Sequence, residues 1–158
     1  MAADEVPPGL EFLFTARGQL GAPIPIGRTP AGERTVAPVV AGGRFEGPRL
    51  SGRMLEGAAD VQRVREDGVV ELEAHGVLET DDGVRILYRN SGLRWFPEEV
   101  AAAMREGRPF DPARVYSRAA PRFEAPMDSP YAWLNRALFL STPARDGAGI
   151  KLTVWQVL

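Results

Sequence analysis

Cysteine is absent from the sequence, and with it go disulfides, thiolate nucleophiles and thiolate metal ligands. Histidine is nearly absent: His75 stands alone, which excludes a metal centre built from several imidazoles. Charge of one sign is lacking as well, because 19 Lys and Arg are scattered among 21 Asp and Glu for a formal net charge of -2. Without a basic stripe to follow a phosphate backbone, nucleic acid is not an expected partner. No apolar run approaches the roughly 20 residues of a membrane helix. Met1 to Leu10 carries two acids and no basic segment followed by an apolar run, so it is not read as a secretion signal, and a cytoplasmic protein with no membrane partner is expected. The glycine-containing stretches do not spell a dinucleotide or phosphate loop ahead of a helix. Asp81-Asp82 lacks the spaced oxygen ligands of a calcium loop, and the serines lack a nucleophile elbow. Neither cofactor nor metal is expected.

What the chain does contain is punctuation. Its 17 Gly and 14 Pro are dispersed among apolar segments, the mark of short strands and turns rather than of disorder. With no linker, repeat or low-complexity tract, residues 1–158 read as one domain long enough to bury a core. Asp67-Gly68, Asp82-Gly83 and Asp146-Gly147 each separate segments of alternating polarity. A tight hairpin needs positive φ, which Gly and Asp tolerate, so three hairpins are expected. Between the first two, Val70, Leu72, Ala74, Gly76 and Leu78 share one strand face, and Glu71, Glu73, His75 and Glu79 share the other. The next strand groups Val84, Ile86, Tyr88 and Asn90, the last groups Ile150, Leu152, Val154 and Leu158, and the first groups Leu10, Phe12, Phe14 and Ala16.

Strands at both termini can pair with each other, and a closed, mainly β, antiparallel barrel of about 8–10 strands follows. Glycines at 43, 47, 52, 57 and 76 interrupt strand-like stretches and suit the coiling of a small barrel. One segment breaks the rhythm: Pro97 to Gly107 opens with Pro and acids and ends with Arg105 and Gly107, predicting a helix of about three turns docked through Val100 and Met104. A short helical turn is predicted at Ser129 to Leu134.

The blocks Gly43-Arg44-Phe45-Glu46-Gly47-Pro48, Ser51-Gly52, Gly57-Ala58-Ala59-Asp60, Asp67-Gly68, Thr80-Asp81-Asp82-Gly83 and Tyr131-Ala132-Trp133-Leu134-Asn135 together resemble the domain-of-unknown-function family 3237. The resemblance spans nearly the whole chain and implies a compact antiparallel barrel of about eight or more strands. It supplies no catalytic set. The chain departs from the family pattern at Val61, where Trp is frequent, and at His75, where Arg is expected.

The candidate chemistry is sparse. His75 titrates near neutrality, but its neighbours Glu71, Glu73 and Glu79 put its strand face in water, and the structural reading is the stronger. Asp60 shares a face with Gln62; turned into a barrel it would have a raised pKa and could shuttle a proton, while after a Gly-rich bend it could equally accept turn hydrogen bonds. Tyr88, on an apolar face, can donate to a developing oxyanion. Tyr131, Trp133 and Asn135 suit either a pocket that grips an organic ligand or a plug in which the amide ties down a loop. Arg53 and Arg89 are candidates for binding a carboxylate, with surface placement favoured for both.

The expectation is therefore a small-molecule-binding barrel. One form is a cofactor-independent isomerase, cyclase or lyase acting on a small organic or polyketide-like substrate, with Asp60, Tyr88 and Asn135 catalytic and Arg53, Tyr131 and Trp133 binding. The alternatives are a non-catalytic carrier or sensor, and a structural or oligomeric module with a packed interior. Trp155 and Val157, opposite the last strand's main apolar row, offer a homodimer surface.

Overall fold

The computed structural model describes residues 6–41 and 43–158; the first half of the N-terminal segment read above for targeting lies outside the described residues. The elements, in order, are β1 (Leu10–Leu20), β2 (Ile24–Thr29), β3 (Gly32–Ala41), β4 (Arg44–Glu46), β5 (Gly52–Met54), β6 (Ala59–Val64), β7 (Val70–Thr80), β8 (Arg85–Trp95), α1 (Glu98–Arg105), β9 (Tyr116–Glu124), β10 (Phe139–Asp146) and β11 (Gly149–Val157). Two short 3-10 turns, Pro112–Arg114 and Ala132–Arg136, flank β9. No described helix is long and apolar enough to cross a membrane.

All three Asp-Gly bends make the expected hairpins, joining β6 to β7, β7 to β8 and β10 to β11, with Gly68, Gly83 and Gly147 at φ of 82°, 85° and 60°. The first strand pairs antiparallel with the last from Leu10↔Val157 to Gln19↔Gly149. That pairing completes an eight-strand antiparallel ring, β1-β11-β10-β9-β8-β7-β6-β3 and back to β1, so the architecture is barrel-like. A second bridge, β4 and β5, crosses from β1 to β7 at one end. Two long strands thus use one edge twice: Val70–His75 pair with β6 and Leu78–Thr80 with β5, while Thr15 and Ala16 pair with β4 and Gln19 and Leu20 with β3. Such crowding requires glycine at two contacts. A Cβ on Gly52 would stand 2.1 Å from the Glu79 carbonyl oxygen, and one on Gly47 would stand 1.9 Å from that of Leu13.

Three sequence expectations need correction. The pairing of β1 shifts between Phe12 and Phe14. This bulge inserts Leu13 into the buried set and turns Phe12 outward, so Leu10 and Phe12 do not share a face with Phe14 and Ala16. The helix is two turns rather than three, and its buried residues are Val100 and Ala103 while Met104 is 47% exposed; the contact pair is three apart, not four. Leu158 is 67% exposed, because the last strand ends before it. The outer row that includes Trp155 continues through its cross-strand neighbours Phe12 and Leu140, both partly exposed.

The ring interior is divided. At the end bridged by β4 and β5, Phe14, Phe45, Leu78, Ile86, Phe123, Phe139 and Val154 are buried, with Phe123 meeting Phe139 edge to face at a 4.9 Å centroid distance. The 3-10 turn at 132–136 covers this packing with Leu134. Asn135 pins that turn: its Oδ1 accepts from the Ala125 amide at 2.7 Å and its Nδ2 donates to the Ala125 carbonyl at 2.9 Å. The Tyr131 hydroxyl donates to Asp82 at 2.8 Å, Arg44 clasps Asp81 in a two-pronged pair at 3.0 and 2.8 Å, and the Arg49 guanidinium lies 3.6 Å above the Trp133 ring centre.

Two outcomes are expected of urea denaturation. Asn135→Ala strands both Ala125 backbone groups and should lower stability by about 1–3 kcal/mol. Gly52→Ala forces β5 and β7 apart and should cost at least about 1–3 kcal/mol, the usual range for overpacking. An unchanged midpoint in either variant would contradict this account of the packed end.

Candidate functional site

The other end of the ring carries polar side chains on its inner face. Period-two alternation on β6 turns Asp60 and Gln62 inward, and on β8 the row that begins with Ile86 and Tyr88 runs on through Asn90 and Gly92 to Arg94. Asp60 stands opposite Ala37 of β3 and Ala74 of β7, and Ala74 stands opposite Asn90. The positions flanking the carboxylate across the ladder are therefore held by methyl groups. Gln62 Nε2 donates to Asp60 Oδ2 at 2.9 Å, and Arg94 Nη2 donates to Gln62 Oε1 at 3.2 Å. The amide so placed links the acid to the base and separates them. Asp60 Oδ1 and Arg94 Nε are both buried and have no hydrogen-bond partner. Buried polar atoms are nearly always satisfied, and an orphan acceptor and an orphan donor on one three-residue chain require a reason.

Electrostatics follow from that burial. Desolvation pushes the Asp60 carboxyl above the usual aspartate range, against the smaller downward pull of the Gln62 hydrogen bond, the Arg94 charge and the Glu73 backbone. Desolvation likewise pulls the Arg94 guanidinium down; Asp60 opposes this and the nearby charge of Arg145 adds to it. Tyr88, fully enclosed, is pushed up by burial, with Asn90 hydrogen-bonding to it and Asp60 repelling its anion. It remains a neutral phenol at physiological pH. Behind Asn90, the buried Ser141 hydroxyl makes long contacts with Asn90 Oδ1, at 3.4 Å, and with the Ala119 carbonyl, at 3.5 Å. The assembly contains a carboxyl able to trade a proton, a phenol that keeps its proton and can donate it in a hydrogen bond, and a guanidinium with an unpartnered Nε.

The sequence candidates separate between this site and the rest of the molecule. Asp60 and Tyr88 meet inside the ring. Asn135, Tyr131 and Trp133 belong to the packed end, each engaged with the partner described above. Arg53 lies on the outer face and pairs with Glu79 at 2.7 Å, sharing that carboxylate with Arg85. His75 is exposed, opposite Ala59 and the equally exposed Arg89. Arg94 and Ser141 were not singled out by sequence reasoning, and Gln62 only as a face-mate of Asp60. The signal for Arg94 was the unbroken parity of β8, which continues past Asn90 through Gly92 to Arg94. Two surface grooves, of about 440 Å³ beside Arg122, Glu124, Asn135 and Leu138 and about 390 Å³ beside Arg17, Asp146 and Ile150, include neither Asp60 nor Arg94. Both open to solvent between exposed side chains; the unmet buried valences are the stronger mark of a site. Among the described residues no three His, Asp or Glu side chains gather to hold a metal.

Comparison with known proteins agrees with this architecture. The family model described as protein of unknown function (DUF3237) matches residues 8–157. A UPF0311 protein of Rhodopseudomonas palustris is 36% identical over 94% of this chain and 95% of its own length. Among solved structures, a conserved protein of unknown function from Rhodopseudomonas palustris is 35% identical with a TM-score of 0.85, covering 97% of this chain and 99% of that one. A beta-barrel like protein from Acinetobacter baumannii is 31% identical with a TM-score of 0.82, covering 98% and 99%. An enzyme from Penicillium herquei, at 24% identity, full coverage and a TM-score of 0.72, shares the fold. With its strand ring, its motif blocks and all but its extreme residues matched, the chain belongs to the DUF3237 family.

Proposed function

We propose that this protein is a cofactor-independent enzyme, an isomerase, cyclase or lyase, that moves a proton on a small carbonyl-bearing organic substrate at the polar end of the ring. The observation that carries the reading is the pair of unmet buried atoms, Asp60 Oδ1 and Arg94 Nε, joined through Gln62. In this reading Asp60 takes the proton and returns it. A carboxyl raised by burial is a better match to neutral pH than an ordinary aspartate, which is what general acid–base catalysis needs. Tyr88 donates to the oxygen on which charge develops, and Asn90 orients that phenol. The aromatic packing at the far end holds the strands rigid beneath the site. A carrier or sensor would use the same contacts without turnover.

The test is proton exchange. In deuterium oxide, a panel of enolisable and cyclisable acids and ketones is followed by NMR with the purified protein. At least one should exchange or convert, and Asp60→Asn should lower kcat by at least about 100-fold with KM little changed. Tight binding with no exchange in any member of the panel would establish the carrier and end the enzymatic reading.

Stability gives a second readout. The folded-state pKa of Asp60 lies above its unfolded value, so the folded state holds the extra proton between the two. Stability is then lost as pH rises through that window, from about pH 4 upward. Asp60→Asn removes the loss, and its melting temperature should exceed that of the parent at pH 7, and by less at pH 4. A variant less stable than the parent at pH 7 would show that the carboxylate is satisfied inside the ring.

A further inference from the structure

We propose that Arg94 is the anion receptor of this site, and that the ligand class is a small organic carboxylate bearing a hydroxyl or an acidic C–H a few bonds from the carboxylate. This deepens the reading above, since it assigns the substrate class to the same interior. The argument begins with how the chain treats its other arginines. Arg17, Arg44, Arg53, Arg63, Arg85 and Arg114 are each paired with a carboxylate of the protein, and all of these pairs are on the surface or partly exposed. Arg94 differs: it is half-buried, it has no carboxylate partner among the described residues, and its Nε is buried without a hydrogen bond. Its one hydrogen bond is to a neutral amide, and the only acid that acts on it, Asp60, lies beyond that amide. A guanidinium presents its donors as a flat fork suited to two carboxylate oxygens. Nε shares an edge with Nη2; Nη2 spends one hydrogen on Gln62, and Nε beside it is buried and bare.

The surroundings favour an anion there. Arg145 is the second charge that acts on Arg94, it has the same sign, and it makes no ion pair among the described residues. Asp60 is the only acid that acts on Arg94, so when it holds its proton the remaining charge acting there is positive. The register places Val70 on one side of Arg94 and the buried Ser117 on the other, so the fork lies between a hydrocarbon wall and a hydroxyl-bearing one, where charge-assisted hydrogen bonds are strengthened. Gln62 cannot turn without losing one of its two bonds, and it therefore holds Asp60 and Arg94 apart by a fixed spacer. A ligand that seats its carboxylate on Arg94 brings a group a few bonds away to Asp60 Oδ1.

The experiment uses the full chain with two probes of nearly equal shape, 3-hydroxybenzoate and the neutral 3-hydroxybenzamide, with inorganic phosphate as a control anion. Affinities are measured by calorimetry at pH 7, and the arginine Nε–H resonances are followed by NMR. The acid should bind at least about tenfold more tightly than the amide, and it should shift the Arg94 Nε–H signal, which the amide leaves in place. Arg94→Met should erase the preference, Arg94→Lys should restore part of it, and Arg145→Met should weaken binding of the acid without abolishing it. If Arg94→Met does not fold, the Nε–H shift in the parent decides alone. Equal affinity for acid and amide, binding of neither, an unmoved Nε–H signal, or phosphate bound as tightly as the acid would each overturn the proposal. Its failure is separable from that of the acid–base reading: an Asp60→Asn protein that still prefers the acid, from a parent that exchanges no protons, would leave the receptor standing and remove the enzyme.

Discussion

Nine residue pairs between Leu10–Gln19 and Gly149–Val157 join the two ends of the chain, and the interior exists because of them. Without that ladder, β1 and β11 would each present an open edge and the sheet would have no inside. With it, Asp60 on β6 and Arg94 on β8 face the inside of one ring. Their titration is perturbed for that reason: the causes that dominate at Asp60, Tyr88 and Arg94 are all burial, and burial is a product of closure. The ladder links positions most distant in sequence, so the site forms only after the whole ring has formed.

The two ends of the ring do different work. The blocks that carry the family resemblance mostly meet at the packed end, where Asp81 receives Arg44, Asp82 receives Tyr131, and Asn135 holds the backbone at Ala125. These are polar residues in motif-like clusters, the kind sequence reading offers as catalytic, and here they fasten hairpins and a turn. The opposite end has less motif and more unmet valence. Only Asp60, the last residue of the Gly-Ala-Ala-Asp block, reaches into it.

How much was legible depended on whether a local rule was decisive. Asp-Gly with positive φ dictates a tight bend irrespective of context, and all three bends form as expected. Alternation fixed the inner rows of β7 and β8 and with them Tyr88, whereas for Asp60 it left an inward carboxylate and a turn acceptor equally open. It failed on β1, where the extra residue Leu13 flips the parity and no single-strand pattern marks the flip. On β8 the inner row was followed only as far as Asn90, although the same parity runs on to Arg94. Parity was the better guide, since a strand cannot change face without a bulge, and β8 pairs with β7 without a break from Arg85 to Arg94. Pairing across strands, and so the bonds of Gln62, is a tertiary fact that no window along the chain contains.

That amide explains why two buried charges are tolerated without contact. A direct Asp60–Arg94 pair would recover much of its desolvation cost by mutual attraction, and it would be closed, each group having used its best donor or acceptor on the other. Interposing Gln62 gives each charge one neutral hydrogen bond and leaves each with one free atom. The arrangement is less stable than a salt bridge and more receptive, which is the trade common to binding sites. Stability is made up at the other end, where Phe14, Phe45, Phe123 and Phe139 pack without polar interruption. A ring of this size has room for a solid core and for a few unsatisfied polar atoms only if the two are kept at opposite ends, because water admitted to satisfy Asp60 and Arg94 must not reach the aromatic cluster. The side chains between them, Tyr88 with its ring 5.8 Å from that of Phe123 and Asn90 acting on its hydroxyl, form that boundary.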